Sequence, residues 1–161
     1  MYLSRNSQKI QLLSRTRLAC HQISNELTNK RLKFSQIPPQ NILGNSCNFI
    51  SCDKEYNING IQGILNSYLM DWRFRKFSSN NHINNYELDD LPINILLTNN
   101  EKILKYVSEI ISGNLSKIVD LNLLVFHHYG LKKNEILEIL NDYSDEYVNK
   151  MKKLISKNPV K

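Results

Sequence analysis

The residues of this chain best suited to chemistry form a run of alternating aromatics and cations, Trp72-Arg73-Phe74-Arg75-Lys76-Phe77, and a basic stretch near its start that includes Arg15 and Arg17. Aromatic faces stack on bases and cations neutralise phosphates, so this composition fits a nucleic-acid or other anionic contact. The run also has a plainer account. Trp72 continues an apolar stripe that begins at Ile61, and Arg73 and Lys76 would face solvent one helical turn apart, so an anchored helix end with solvated cations explains the same residues.

Other combinations fall short of a site. Cys47 and Cys52 flank four residues, but the adjacent His127 and His128 would point about 100° apart on a helix, so at most one could aim at a metal the cysteines held. No metal site is expected. Glu87, Asp89 and Asp90 are acidic enough for magnesium or acid-base work, yet no second carboxylate group faces them, and they read as a solvated loop. Cys20 adjoins His21 in sequence, and neighbours on a helix do not meet. The glycines at 44, 60, 63, 113 and 130 match neither nucleotide fingerprint, and no cofactor is expected. What remains for an enzyme is a site assembled from scattered residues, of which Asp120, His127 and His128 are the candidates.

The segment Asp120 to Leu140, a buried helix followed by Tyr129-Gly130-Leu131 and Glu135-Ile136-Leu137, resembles the end of the all-helical nucleoside-triphosphate pyrophosphohydrolases. That resemblance implies magnesium held by paired carboxylates on two facing helices. Asp120 stands in such a helix, but Ile61 to Trp72 and Asn100 to Ser112 supply no matching pair. The likeness is one of helix capping, and it assigns no family.

Composition sets the class of partner. The net charge of +6 favours anionic neighbours, although Lys and Arg are spread along the whole chain. Asn, Ile and Lys are over-used, which reflects AT-rich codons. Three cysteines, an odd number without a secretory signal, predict an intracellular, reducing compartment, whether cytoplasm or organelle. The absence of acidic residues before Glu26 suits either an organellar transit segment or a basic amphipathic helix. The longest apolar run, Leu121 to Phe126, is interrupted by Asn122 and far too short to span a membrane, so a soluble protein is expected.

The elements that must position these residues are read from hydrophobic period. The pattern predicts a mainly α single domain over 1–161: about five helices packed as a bundle, with one or two short strands around 47–52 and 92–97. A basic amphipathic helix or arm occupies 1–32, its helix running from Ser7 to Arg31 with Leu13, Cys20 and Leu27 at seven-residue spacing. Pro38-Pro39 breaks the chain after it. Ile61, Ile64, Leu65, Tyr68, Leu69 and Trp72 predict one helix ending near Phe77. An exposed linker, 78–91, separates two helical halves. Further helices follow at 100–112, 115–129, the most buried, and from 132 past Leu154. The function expected is a non-enzymatic adaptor or accessory subunit docked through protein partners onto a larger assembly. The alternatives are RNA binding through Arg15, Arg17, Trp72, Arg73, Arg75 and Lys76, and an enzyme with an unrecognised site.

Overall fold

The computed structural model describes residues 8–53, 55–78 and 80–157. Among them are eight α-helices and a three-stranded antiparallel sheet. The chain is mainly α, but it is not a five-helix bundle.

The largest departure from the sequence pattern lies at the start. In place of one helix over 7–31, a short helix α1 (Gln8–Leu13) gives way to strand β1 (Arg17–His21) and then to turns; residues 1–7 lie outside the described residues. β1 is the central strand, pairing antiparallel with β2 (Ser35–Ile37) and with β3 (Cys47–Ile50). Alternation on β1 sends Leu18 and Cys20 into the core and turns Arg17, Ala19 and His21 to the other face. The seven-residue spacing that suggested a helix was fortuitous, since Leu27 at its end is 92% exposed. Ladder hydrogen bonds to two neighbours outweighed local helix preference. The strand expected around 47–52 is β3. Residues 92–97 join no sheet: Ile95–Leu97 make a 3-10 turn, because the Asn94 side chain accepts from Leu96 N–H and tightens the backbone there.

The helix expected from Ile61 to Phe77 is two, α2 (Ile58–Leu65) and α3 (Tyr68–Phe77). Ser67 separates them: its buried hydroxyl accepts from Met70 N–H as the N-cap of α3. Gly60 and Gly63 of α2 permit close approach. A Cβ at Gly60 would lie 1.8 Å from the Thr98 carbonyl oxygen, and one at Gly63 would lie 2.6 Å from a Val107 methyl. The segment 78–91 is no exposed linker. It contains α4 (Asn85–Asp89) with a capping box between Asn84 and Glu87, it buries Ile83, Leu88 and Leu91, and His82 pairs with Ile23. α5 (Glu101–Ile111) and α6 (Lys117–His128) follow, with glycines at positive φ just beyond each, Gly113 at 98° and Gly130 at 71°.

The last helix is also divided, into α7 (Lys133–Asn141) and α8 (Glu146–Lys157). Asp145 caps α8 by accepting from Val148 N–H, and Tyr143 between them turns into the core. Its hydroxyl donates to Asp71, a fully buried carboxylate that also accepts from the Arg31 and Leu32 backbone N–H groups and from Arg75 Nε at 2.8 Å. One oxygen pair thus ties the turn after β1, helix α3 and the α7–α8 junction together. The core runs continuously from Leu18 on the sheet through Ile64, Met70 and Phe126 to Met151.

Candidate nucleic-acid interface

The six cations and aromatics singled out in the sequence do not form one surface. Arg15 is exposed at the entry to β1. Arg17, on the outer face of the sheet, is only 3% exposed. Arg75 is a structural residue: besides its ion pair with Asp71 it donates to the carbonyls of Thr28 and Glu26. Trp72 is half-buried with Lys76 over its ring at 5.0 Å, and Lys76 reaches Asp142 at 3.3 Å. Arg73 turns the opposite way and stacks on Phe77, its guanidinium carbon 3.4 Å from the ring centroid.

Two surfaces therefore present cations beside aromatics. The first is a cleft of about 480 Å³ between α3 and α4, lined by Arg73, Phe77, Tyr86, Glu87 and Asp90. Phe77 and Tyr86 are 68% and 66% exposed there. Large aromatics that open to solvent beside a guanidinium make a platform for a planar ring. Tyr86 and Phe77 come together only because 78–91 folds into α4 against α3.

The second surface is a cleft of about 530 Å³ on the outer face of the sheet, where α1 and the loop before β3 rise above it. Gln40 N–H donates to the Leu13 carbonyl at 2.7 Å, which pins that loop to the end of α1. Leu12, Leu13, Leu43 and Phe49 supply apolar walls, and Arg17 forms part of the floor. Register explains the pairing of Arg17 with Phe49: Phe49 stands opposite Ala19, two residues along the same face, and the guanidinium lies 5.6 Å from its ring centroid. Arg17 donates to the Asn41 carbonyl, its Nε is buried without a partner, and no carboxylate lies within 4 Å of it among the described residues. A buried guanidinium without a nearby counter-ion among the described residues and with one unpartnered donor is costly to the fold.

The remaining candidates separate. Asp120 is bound to Lys117 at 2.8 Å, whereas His127 and His128 are exposed at the far end of α6 with their rings 5.7 Å apart. The enclosed pocket that an enzyme site at these three residues requires is not formed. Cys20, Cys47 and Cys52 are free thiols, and burial pushes Cys20 up to about 12. Among the described residues no three His, Cys, Asp or Glu side chains are grouped to hold a metal ion, and no helix is long and apolar enough to cross a membrane. A further pocket, lined by Lys30, Gln62, Asn66 and apolar residues of α5 and α6, has about 240 Å³ and is smaller than the roughly 300–1,000 Å³ usual for ligand sites.

Both cation-aromatic clefts belong to the same stretch of chain. Residues 3–93, more than half of the protein and the part holding the sheet and α2 to α4, match the TaqI-like C-terminal specificity domain. No curated protein and no solved structure matches the chain. The chain belongs to the family of TaqI-like C-terminal specificity domains.

Proposed function

We propose that this chain is a sequence-specificity module for duplex DNA, a non-catalytic unit that docks on a restriction or modification enzyme and directs it to its target. The match of residues 3–93 to a specificity domain carries the reading. The net charge of +6 and the placement of both cation-aromatic clefts within that stretch support it. In this proposal the Arg17 guanidinium in the floor of the cleft supplies a donor for a base-edge or phosphate acceptor, and Phe49 covers the apolar part of what enters the cleft. Arg73, Phe77 and Tyr86 form a second contact.

The test is selection from a pool of randomised DNA duplexes by the 161-residue chain, with the retained molecules sequenced. A defined motif is expected, and its preference should weaken in Arg17→Gln. Retention with no sequence enrichment sinks the proposal. A second reading, binding of unpaired RNA, draws on the exposed stacking platform of Phe77 and Tyr86. It predicts that single-stranded RNA displaces the protein from its selected duplex and that Phe77→Ala abolishes this competition.

A further inference from the structure

Outside residues 3–93 the chain carries a third, differently built cationic surface. α8 packs on α6 and α7 and buries Val148, Met151 and Ile155, leaving much of its remaining surface to solvent. Lys150, Lys153 and Lys157 are exposed on α8 at spacings of three and four residues. With Leu154 they line a cleft of about 460 Å³ that opens toward Ser116 and Asp120 at the start of α6. From Lys150 to Lys157 the helix advances about 10 Å, which is three steps of roughly 3.4 Å along one DNA strand.

The acidic groups nearby do not neutralise this face. Asp120 is already held by Lys117 at 2.8 Å, and Glu146 meets Lys150 at 3.4 Å in a pair that is more than half exposed on both sides. Such exposed pairs are worth about 0–1 kcal/mol and exchange readily for a phosphate. Among the described residues, Lys152, Lys153 and Lys157 have no carboxylate within 4 Å. Like charges three or four residues apart disfavour a helix by a few tenths of a kcal/mol. Repulsion within the array offsets what Lys157 gains at the helix C-terminus and Lys150 gains from Glu146, so the array adds little to folding. Lysines, compact point charges on flexible stems, also differ in kind from the fixed guanidinium of Arg17 in its apolar cleft.

We propose that the Lys150, Lys153 and Lys157 face of α8 grips the sugar-phosphate backbone of the DNA whose sequence residues 3–93 read, adding affinity but no sequence preference. The proposal rests on the specificity-module reading, and its experiment separates the two. The full chain and the variant K150Q/K153Q/K157Q are titrated by fluorescence anisotropy against a labelled duplex carrying the selected motif and against its scrambled counterpart, over about 50–200 mM salt. These side chains are exposed, so circular dichroism should report an unchanged fold.

Three phosphate contacts contribute about 2.7 to the slope of log affinity against log salt, so the variant should lose about 2–3 in slope and on the order of 100-fold in affinity near 0.1 M salt. The loss should be equal on both duplexes and restored in K150R/K153R/K157R. An unchanged slope in the variant, with the motif still preferred, overturns the backbone grip alone. A changed ratio between the duplexes overturns its sequence independence. Failure of the wild-type chain to bind either duplex overturns the specificity-module reading and the grip together. An unchanged slope accompanied by loss of a co-purifying acidic protein would reassign the lysines to a protein contact and also counts against the proposal.

Discussion

Replacing Arg17 by Met should make the protein more stable and less able to bind DNA. The side chain is 3% exposed, makes one charged hydrogen bond to the Asn41 carbonyl, leaves Nε unpartnered and lies 5.6 Å from the Phe49 ring. Deleting the guanidinium removes about 1.5–3 kcal/mol of charged hydrogen bonding and about 0.5–1 kcal/mol of cation-π attraction. It also relieves about 1–3 kcal/mol for the orphaned donor and several kcal/mol for holding an uncompensated charge out of water. Asn41 is exposed, so water can serve the carbonyl left behind. The balance favours Met, which fills a similar volume, by about 1–2 kcal/mol. Urea unfolding followed by far-UV circular dichroism should show a midpoint raised by about 0.5–1 M at constant slope. The affinity for the selected duplex should fall about tenfold or more, the range for losing one good base or phosphate contact. If Arg17→Met instead lowers stability by more than about 1 kcal/mol, the arginine belongs to the fold and the reasoning is refuted; unchanged affinity would refute the other half.

Gly60→Ala places a methyl 1.8 Å from the Thr98 carbonyl, so α2 must shift away from the segment before α5. A loss of about 2–3 kcal/mol is expected despite the better helix propensity of alanine, and Gly44→Ala, whose Cβ meets only Ser46 Oγ at 4.0 Å, is the neutral control in the same thermal melt. Asp71→Asn deprives Arg75 and Tyr143 of their shared acceptor and should cost about 2–4 kcal/mol in urea unfolding, against about 1 kcal/mol for Tyr143→Phe. Burial lowers Lys30 to about 8, with Lys33 adding to the effect and Asp71 and Asp145 opposing it. Unfolded, Lys30 titrates near 10.5 and so binds more protons above pH 8, which makes its own contribution to stability rise between about pH 8 and 10, while Cys20, raised from 9 to about 12, removes stability above pH 9. The stability of the wild type minus that of Lys30→Met should therefore rise with pH across this window, and a difference that stays flat or falls would contradict the assignment.

The C-terminal half was largely legible in the sequence because its signals are local. Asn100 accepts from the N–H groups of Lys102 and Ile103, Gly113 and Gly130 close their helices, and the apolar stripe of α6 is buried at Val119, Val125 and Phe126. The same locality hid the breaks at Ser67 and Asp145, where a single polar cap interrupts an apolar period that continues on both sides. The N-terminal half was read poorly because pairing over distance decides it. β1 is a strand only because Ser35–Ile37 and Cys47–Ile50 flank it, and 78–91 is ordered by Asn48 donating to the Ile83 carbonyl and by Glu87 closing on Asn84. Of the candidate interface, the chemistry of Arg15, Arg17 and Arg73 was visible, but partners such as Phe49 and Tyr86 were not, since sheet register and α4 bring them near. Asp71 carries no local signal of its role, yet in the core it accepts from Arg31, Leu32, Arg75 and Tyr143. The glycines of α2 are contact points, which only the approach of Thr98 and Val107 reveals.

The hub at Asp71 bears on whether the recognition region could be exchanged between proteins. The specificity-domain match ends at residue 93, yet Tyr143 completes the bonding of Asp71, Asn122 accepts from Tyr68 N–H, and Asn29 donates to Asp145. The boundary by which relatives are recognised is therefore not a seam along which the molecule comes apart. A graft cut at 93 would expose the α5 side of Gly63 and leave buried donors open. A transplantable reader of this kind has to travel with its helical brace, and evolution of its target preference is free in the loops and clefts but tethered wherever a side chain answers to the C-terminal helices.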